Sequence, residues 1–197
     1  DCVPHDDFFM YCQELLEKYR NNENVATIGG TCRHPVKNSK FSYHFSAYSE
    51  IWGWATWKRV MDEYDFDFSV PDSNFVESVK RFVHSKQAAL YWLKVLHRTQ
   101  NDKDKKSYWD FQLDLKNLYS NKINIVPNCN LVSNIGFNER GTHTLAVSNC
   151  ANLPTQSVLP LKHPKKIRIR YYDNLEYNVH WKKCKSMMRK CLRKLQG

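Results

Sequence analysis

The sequence predicts a layered α/β domain, because short apolar segments typical of strands alternate with longer segments of helical periodicity. Residues 25–28 and 123–126 are the clearest strand patterns, since both are short, apolar and rich in β-branched residues. The chain has 197 residues, of which 42% are hydrophobic. This length and composition are sufficient for one buried core.

The first helix is predicted to begin at Asp6 and Asp7, whose side chains can cap it. Apolar residues then recur on the 3.6-residue period at Phe8, Cys12, Leu15, Leu16 and Tyr19. The strand at 25–28 follows, and we expect Gly29-Gly30 to end it in a turn. Residues 31–40 are predicted to form a loop.

A long helix is predicted from Ser73 through Leu96, ended by the polar run at 99–106. Another helix is predicted to begin near Ser107. The strand at 123–126 comes next, and a further short strand is expected within 131–137.

The formal net charge of +10 is concentrated in one part of the chain. Residues 151–197 contain 12 Lys and Arg against two acids, whereas residues 1–150 contain 18 basic and 18 acidic residues. We therefore predict a neutral body over 1–150 and a basic tail over 151–197. A neutral body disfavours a nucleic-acid binder.

The seven cysteines are scattered and show no CxxC or Cys/His ligand spacing. This pattern favours reduced thiols in a core over a disulfide framework or a zinc site. No segment resembles a secretory signal or a membrane span. These features predict a cytoplasmic protein.

Four stretches contain residue types suited to chemistry: 1–9, 52–59, 108–112 and 133–144. They supply an acid at the start, a Trp/Gly segment, an acid at a helix start and a late His. Each has an ordinary structural alternative, because a Trp cluster is often core and an Asp at a helix start is often a cap.

In their order and spacing these stretches resemble the C-terminal half of a metal-dependent glycosyltransferase of the GT-A fold. The resemblance is to bacterial enzymes of surface-polysaccharide and lipopolysaccharide synthesis, and more distantly to N-acetylglucosaminyltransferase I. It rests on Asp1 followed by Pro4 and residues 7–9, on residues 52–54, on Trp109-Asp110 and on the strand running to His143. It covers residues 1–145 and implies a partial GT-A fold, with the nucleotide-binding half preceding Asp1 in such enzymes.

The resemblance implies roles for individual residues. Asp1 would be the last acid of a metal-binding triplet that holds Mn²⁺ or Mg²⁺. His143 would reach that metal or the diphosphate, or would be a surface loop residue. Asp110 would be the general base or a helix cap, with Asp114 one turn later on the same face.

The substrate-binding residues implied are Trp52, Gly53, Trp54 and Trp109. An indole ring stacks well on the flat face of a sugar, and the alternative for Trp52 and Trp54 is a place in the core.

The function implied is inverting transfer of a sugar from a nucleotide-diphospho-sugar donor to a saccharide or lipid-linked acceptor. The alternative is a non-catalytic carbohydrate-binding or membrane-surface module. Residues 174–197 have the pattern of a basic amphipathic helix. That helix would lie on anionic lipid at the inner membrane face, or would pack on the body with its charges in water.

Overall fold

The computed structural model describes residues 1–35, 39–101, 109–137 and 151–169, which contain five helices and six strands. In chain order these are β1 (Cys2–Pro4), α1 (Asp7–Lys18), β2 (Val25–Gly29), β3 (Tyr43–Ser46), β4 (Trp54–Thr56), α2 (Lys58–Asp62), α3 (Asp72–Val83), α4 (Lys86–Asn101), α5 (Trp109–Tyr119), β5 (Ile123–Pro127) and β6 (Val132–Asn134).

Four strands form a mixed sheet in the order β3-β5-β2-β4. The central pair, β2 and β5, is parallel, while β3 and β4 pair antiparallel at the edges. All five residues of β2 are buried, as expected for a strand covered on both faces. β1 and β6 form a separate antiparallel ribbon. The predicted α/β class is confirmed.

Helices cover both faces of the sheet and extend into a second core. Leu15 of α1 lies in one apolar cluster with residues of β2, β3 and β5. Ala26 of β2 lies in another with Leu113 of α5 and Val60 of α2. Beyond them, α3, α4 and α5 pack around Phe75 and Leu96. The helical core places the first turn of α5 beside the edge of the sheet.

The start of α1 differs from the predicted cap. The Asp6 side chain makes no capping hydrogen bond. Instead, the backbone N–H of Asp7 donates to Nδ1 of His5, at 3.1 Å. The prediction that both acids cap α1 is therefore wrong, because Asp6 holds the N-cap position without a side-chain bond and the Asp7 carboxylate is engaged elsewhere.

The Asp7 carboxylate binds the segment that returns along the body near residue 158. Its Oδ2 accepts hydrogen bonds from the Ser157 hydroxyl at 2.6 Å, the Val158 N–H at 2.8 Å and the Leu159 N–H at 3.3 Å. These bonds, led by the one from Ser157, hold the pKa of Asp7 below its ordinary value. Val158 is buried in the same cluster as α1.

The returning segment then follows β3. Ser42 donates its N–H to the carbonyl of Lys162 and accepts from the Lys162 N–H, each at 2.9 Å. Ile169 forms a parallel bridge with Phe45. The first part of the predicted tail, 151–169, thus lies against the body, and residues 174–197 are outside the described residues.

The single helix predicted over 73–96 is two helices in the structure, α3 and α4. His84 adopts the left-handed conformation, with φ of 53°, and ends α3. The Ser85 hydroxyl accepts from the N–H of Ala88 at 3.2 Å and caps α4. The apolar period continues through the break, so periodicity alone did not reveal it.

The predicted turn at Gly29-Gly30 is also wrong. β2 continues through Gly29, and Gly30 is not part of a turn. A Cβ on Gly30 would lie 2.6 Å from atoms of both Phe8 and Val132. Glycine is needed here for close packing between α1 and β6.

We expect Asp7→Ala to loosen residues 156–159 and to weaken the fold at neutral pH, because three hydrogen bonds lose their acceptor. A carboxyl whose pKa is lowered by folding stabilises above its unfolded pKa, and this contribution is lost as the pH falls below about 4. The variant should therefore differ from wild type at pH 7 and converge with it in acid.

Thermal unfolding at pH 7 and at pH 3 measures this difference. Asp6→Ala is the matched control, since Asp6 is an exposed neighbouring acid without a capping bond. Equal melting temperatures for the two variants at pH 7 would contradict the role given to Asp7.

Candidate functional site

A cleft of about 370 Å³ opens between α4, α5 and the segment that follows β3. It combines aromatic rings with three carboxyl groups and one guanidinium group. Its lining residues are Arg33, Tyr48, Ser49, Glu50, Ile51, Tyr91, Trp92, Asp110, Phe111 and Asp114. The predicted base, Asp110, therefore lies in a cavity that brings together ionisable side chains from several elements.

The segment after β3 is fixed by buried polar groups. The carbonyl of Ala47 accepts from the side-chain amide of Asn124 at 3.1 Å, and Asn124 is fully buried on β5. One residue on, the N–H of Tyr48 donates to the Ser46 hydroxyl at 3.0 Å. The path of the chain into Ser49 is thereby set by the central sheet.

Asp110 and Asp114 lie one helical turn apart on α5, and both face the cleft. Ser49 joins the second of them to the opposite wall. Its hydroxyl donates to Asp114 Oδ1 at 2.6 Å, and its N–H lies 3.3 Å from the same oxygen. The predicted common face of the two acids is confirmed.

Burial raises the pKa of Asp114 to about 7, and the nearby Asp110 carboxylate acts in the same direction. The hydrogen bonds from Ser49 and the positive charge of Arg33 oppose this rise. The Asp114 carboxyl is therefore partly protonated near neutral pH, whereas an ordinary carboxyl is fully ionised there.

Arg33 and Glu50 form an ion pair at the cleft wall, with 3.1 Å between Arg33 Nη2 and Glu50 Oε2. Glu50 is only 5% exposed, so its charge is balanced largely within the protein. The guanidinium carbon lies 4.9 Å from the centre of the Trp52 ring, which is a cation–π distance. Trp52 is thereby coupled to the cleft through Arg33.

The predicted aromatic residues have different environments. Trp52 is half-buried and meets Phe137 edge to face, with 5.3 Å between ring centres. Trp54 stacks on Trp109 at 5.8 Å and 25°. Trp109 is 40% exposed, whereas Trp54 is half-buried beside the cluster of Ala26. Trp109 therefore presents the more accessible ring of this pair.

Gly53 has a structural role in this arrangement. Its φ of +64° lies in the left-handed region, which favours glycine. A Cβ there would meet Val132 at 2.6 Å, and the Gly53 carbonyl accepts from the N–H of Gly30 at 2.7 Å. These contacts explain Gly53 through backbone packing, and its predicted part in substrate binding stays a prediction.

The predicted metal ligand Asp1 is exposed and packs against Gly136, where a Cβ would come within 2.2 Å of Asp1 Oδ2. Its carboxylate is the donor type that Mn²⁺ and Mg²⁺ prefer. Among the described ranges, no group of three or more His, Cys, Asp or Glu side chains is placed to hold a metal ion. His143 lies outside the described residues.

A chain of contacts connects Asp1 with the cleft. Asp1 touches Gly136, and the next residue, Phe137, packs on Trp52. Trp52 lies under Arg33, which lines the cleft together with Asp110. Contacts thus link the first and second sequence stretches through residues 136–137, the described end of the fourth, and Trp54–Trp109 joins the third to the second.

Sequence reasoning did not select Arg33, Ser49 or Glu50. Ser49-Glu50 lies within the aromatic-rich residues 41–57 and Arg33 lies in a predicted loop, so none of the three had a periodic pattern to mark it. The one usable signal was Asp114, whose spacing from Asp110 already implied a shared face.

No protein-family model, curated protein or solved structure matches the chain.

In the part of the chain that the structure describes, no helix has both the length and the apolar character needed to span a bilayer.

We expect Asp114→Asn to change how stability depends on pH. The folded-state pKa of Asp114 is higher than its unfolded value, so the wild type loses stability as the pH rises from about 4 to 7. The amide carries no charge and removes this loss, on the order of 1–3 kcal/mol. Urea unfolding of both proteins at pH 5 and pH 8 measures it.

Ser49→Ala is the companion variant with the opposite sign. It removes the hydroxyl hydrogen bond that favours the ionised carboxylate and keeps the one from the backbone N–H, so its loss of stability toward pH 8 should exceed that of wild type. If the free energies of unfolding of wild type, Asp114→Asn and Ser49→Ala change with pH in the same way, the Asp114 carboxyl is ionised over the whole range from pH 5 to pH 8.

Proposed function

We propose that the chain is the acceptor-binding and catalytic half of a glycosyltransferase with a partial GT-A fold. The single observation that carries the proposal is the placement of Asp110 in a cleft with aromatic walls and three further ionisable side chains. The mixed sheet with helices on both faces is compatible with such a fold. The order of the four sequence stretches gives the resemblance its specificity.

In this proposal Asp110 is the general base. A hydroxyl of a saccharide or lipid-linked acceptor attacks the anomeric carbon of the donor, and the bond from that carbon to the diphosphate oxygen breaks. The hydroxyl proton passes to the Asp110 carboxylate, and the electron pair leaves with the nucleoside diphosphate. A base on the acceptor side of the reacting carbon corresponds to inversion.

The chain's own residues orient the acceptor in this scheme. The Ser49–Asp114 hydrogen bond ties α5 to the opposite wall, which limits the distance between Asp110 and an acceptor in the cleft. The exposed ring of Trp109, stacked on Trp54, offers an apolar surface for a sugar face.

A divalent Mn²⁺ or Mg²⁺ would offset the charge of the departing diphosphate. Asp1 would supply one carboxylate oxygen to it, which agrees with the donor preference of these cations. The identity of the donor, the contribution of His143, cytoplasmic location and attachment of 174–197 to an anionic inner membrane face stay predictions.

A carbohydrate-binding module without turnover is the second candidate, favoured by the stacked Trp54–Trp109 pair on its own. Such a module needs the aromatic surface but not an ionised carboxylate beside it. Variants of Asp110 therefore distinguish the two candidate functions.

We expect Asp110→Asn to lower transfer by about 10²–10⁴-fold with little effect on saccharide binding, because loss of a general base acts on the chemical step. The measurement is release of nucleoside diphosphate from a panel of nucleotide-sugars in the presence of saccharide acceptors, using the complete protein. Asp62→Asn is the matched control, since Asp62 pairs with Lys58 on the exposed surface of α2.

Transfer by Asp110→Asn within a few-fold of wild type would eliminate Asp110 as the base. Saccharide binding without turnover in the wild type would favour the binding module.

We expect Trp109→Ala to weaken saccharide binding by about 2- to 13-fold, the effect of losing an aromatic contact of about 0.5–1.5 kcal/mol. Trp109→Phe retains a ring and should restore most of the affinity. Calorimetric titration with hexose and N-acetylhexosamine oligosaccharides measures both. Unchanged affinity in the alanine variant, with the fold intact by circular dichroism, would exclude stacking at this position.

A further inference from the structure

A separate pocket, of about 200 Å³, lies between β3 and the returning segment. The segment is attached by Lys162 at Ser42, the residue before β3, and by Ile169 at Phe45 within β3. The three steps from Ser42 to Phe45 span about 10 Å, whereas the seven steps from 162 to 169 have a longer reach. The surplus chain bulges outward, and we name residues 163–168 the arch.

The pocket under the arch has an aromatic floor and a cationic rim. Phe41, His44 and Phe45 contribute from the body, and Pro164, Lys165, Lys166 and Arg168 contribute from the arch. The described residues that line it include no acid. Glu14, which faces the beginning of the arch, is engaged with His163 at 3.0 Å.

His44 is a built element of this pocket, since it is only 8% exposed. Its Nδ1 lies 2.7 Å from Oδ1 of Asn128. The Asn128 amide nitrogen donates to Ser39 Oγ at 2.8 Å and to the Phe41 carbonyl at 2.7 Å, which assigns Oδ1 as the acceptor. His44 therefore donates from Nδ1, and its ring orientation is fixed before any ligand arrives.

Lys165, Lys166 and Arg168 place three positive charges within four residues, above the fixed imidazole of His44. Because no described residue that lines the pocket is an acid, this environment favours an anion. Arginine and lysine donors match phosphate oxygens particularly well. The volume is below the roughly 300 Å³ at which ordinary ligand pockets begin, so it suits one phosphate with a small organic body.

We propose that the arch pocket binds the phosphate of a small phosphate ester through Lys165, Lys166 and Arg168. The ester is either a soluble compound or the headgroup of an anionic lipid, and the phosphate chemistry is common to both. This site is separate from the cleft of Asp110, and its existence does not depend on glycosyl transfer.

The test uses the 197-residue chain and glycerol 3-phosphate as the soluble probe. The proton NMR signals of the histidine rings are followed during the titration, and His44→Gln assigns the signal of His44. We expect a saturable shift of that signal. The triple variant Lys165→Gln, Lys166→Gln, Arg168→Gln should weaken binding about tenfold or more, because charge-assisted hydrogen bonds are removed.

The matched control is Arg81→Gln, Lys86→Gln, Lys94→Gln, which removes the same charge from exposed positions of α3 and α4. It should change the affinity less than about twofold. If the arch triple does not fold by near-ultraviolet circular dichroism, Arg168→Gln alone replaces it, with Arg81→Gln as its matched control.

Sedimentation with phosphatidylcholine vesicles, with and without phosphatidylglycerol, separates the two sources. If glycerol 3-phosphate shifts the His44 signal and the arch triple weakens this binding, the ligand is a soluble phosphate ester. The ligand is a lipid headgroup if the chain binds phosphatidylglycerol vesicles but not glycerol 3-phosphate. In that case the arch triple should weaken vesicle binding and the control triple should retain it. Equal losses in both triples, or no binding of either probe, would overturn the proposal.

Discussion

The fully buried side chain of Asn124 is the constraint on which the arrangement of the cleft depends. Its Oδ1 accepts from the Thr27 hydroxyl at 2.8 Å, and its amide nitrogen donates to the Ala47 carbonyl. One residue therefore joins the two central parallel strands to the segment that forms a cleft wall. Because a buried amide left without these partners would cost about 1–3 kcal/mol, the bonds specify one path for that segment.

The two walls of the cleft are held together by polar contacts. Ser49 meets Asp114 across it, and Glu50 meets Arg33. An apolar contact has nearly the same strength at every pH, whereas each of these contacts depends on a proton or a charge. The geometry around Asp110 is consequently linked to the ionisation of its neighbours. The free-energy cost of burying these charged groups is offset by the packing of the surrounding helical core.

Local patterns predicted much of the fold. The strands at 123–126 and 25–28 and the amphipathic face of α1 all follow from apolar spacing. The division between α3 and α4 did not, because His84 changes the backbone while the apolar period continues. The site was predicted only through Asp110 and Asp114, which share one helix. Arg33, Ser49 and Glu50 join it through contacts far apart in sequence, for which a single sequence carries no pattern.

The contact between Asp7 and Val158 spans 151 positions of the chain. During synthesis the N-terminal helix is therefore made long before the peptide groups that its first carboxylate will bind. The same delay applies to β1, whose partner β6 begins at residue 132. Such distant pairings make folding slower than local ones do, and they leave early segments without their native neighbours on the ribosome. The contacts of Asp7 can thus form only after residue 158 has been synthesised, however early α1 itself becomes helical.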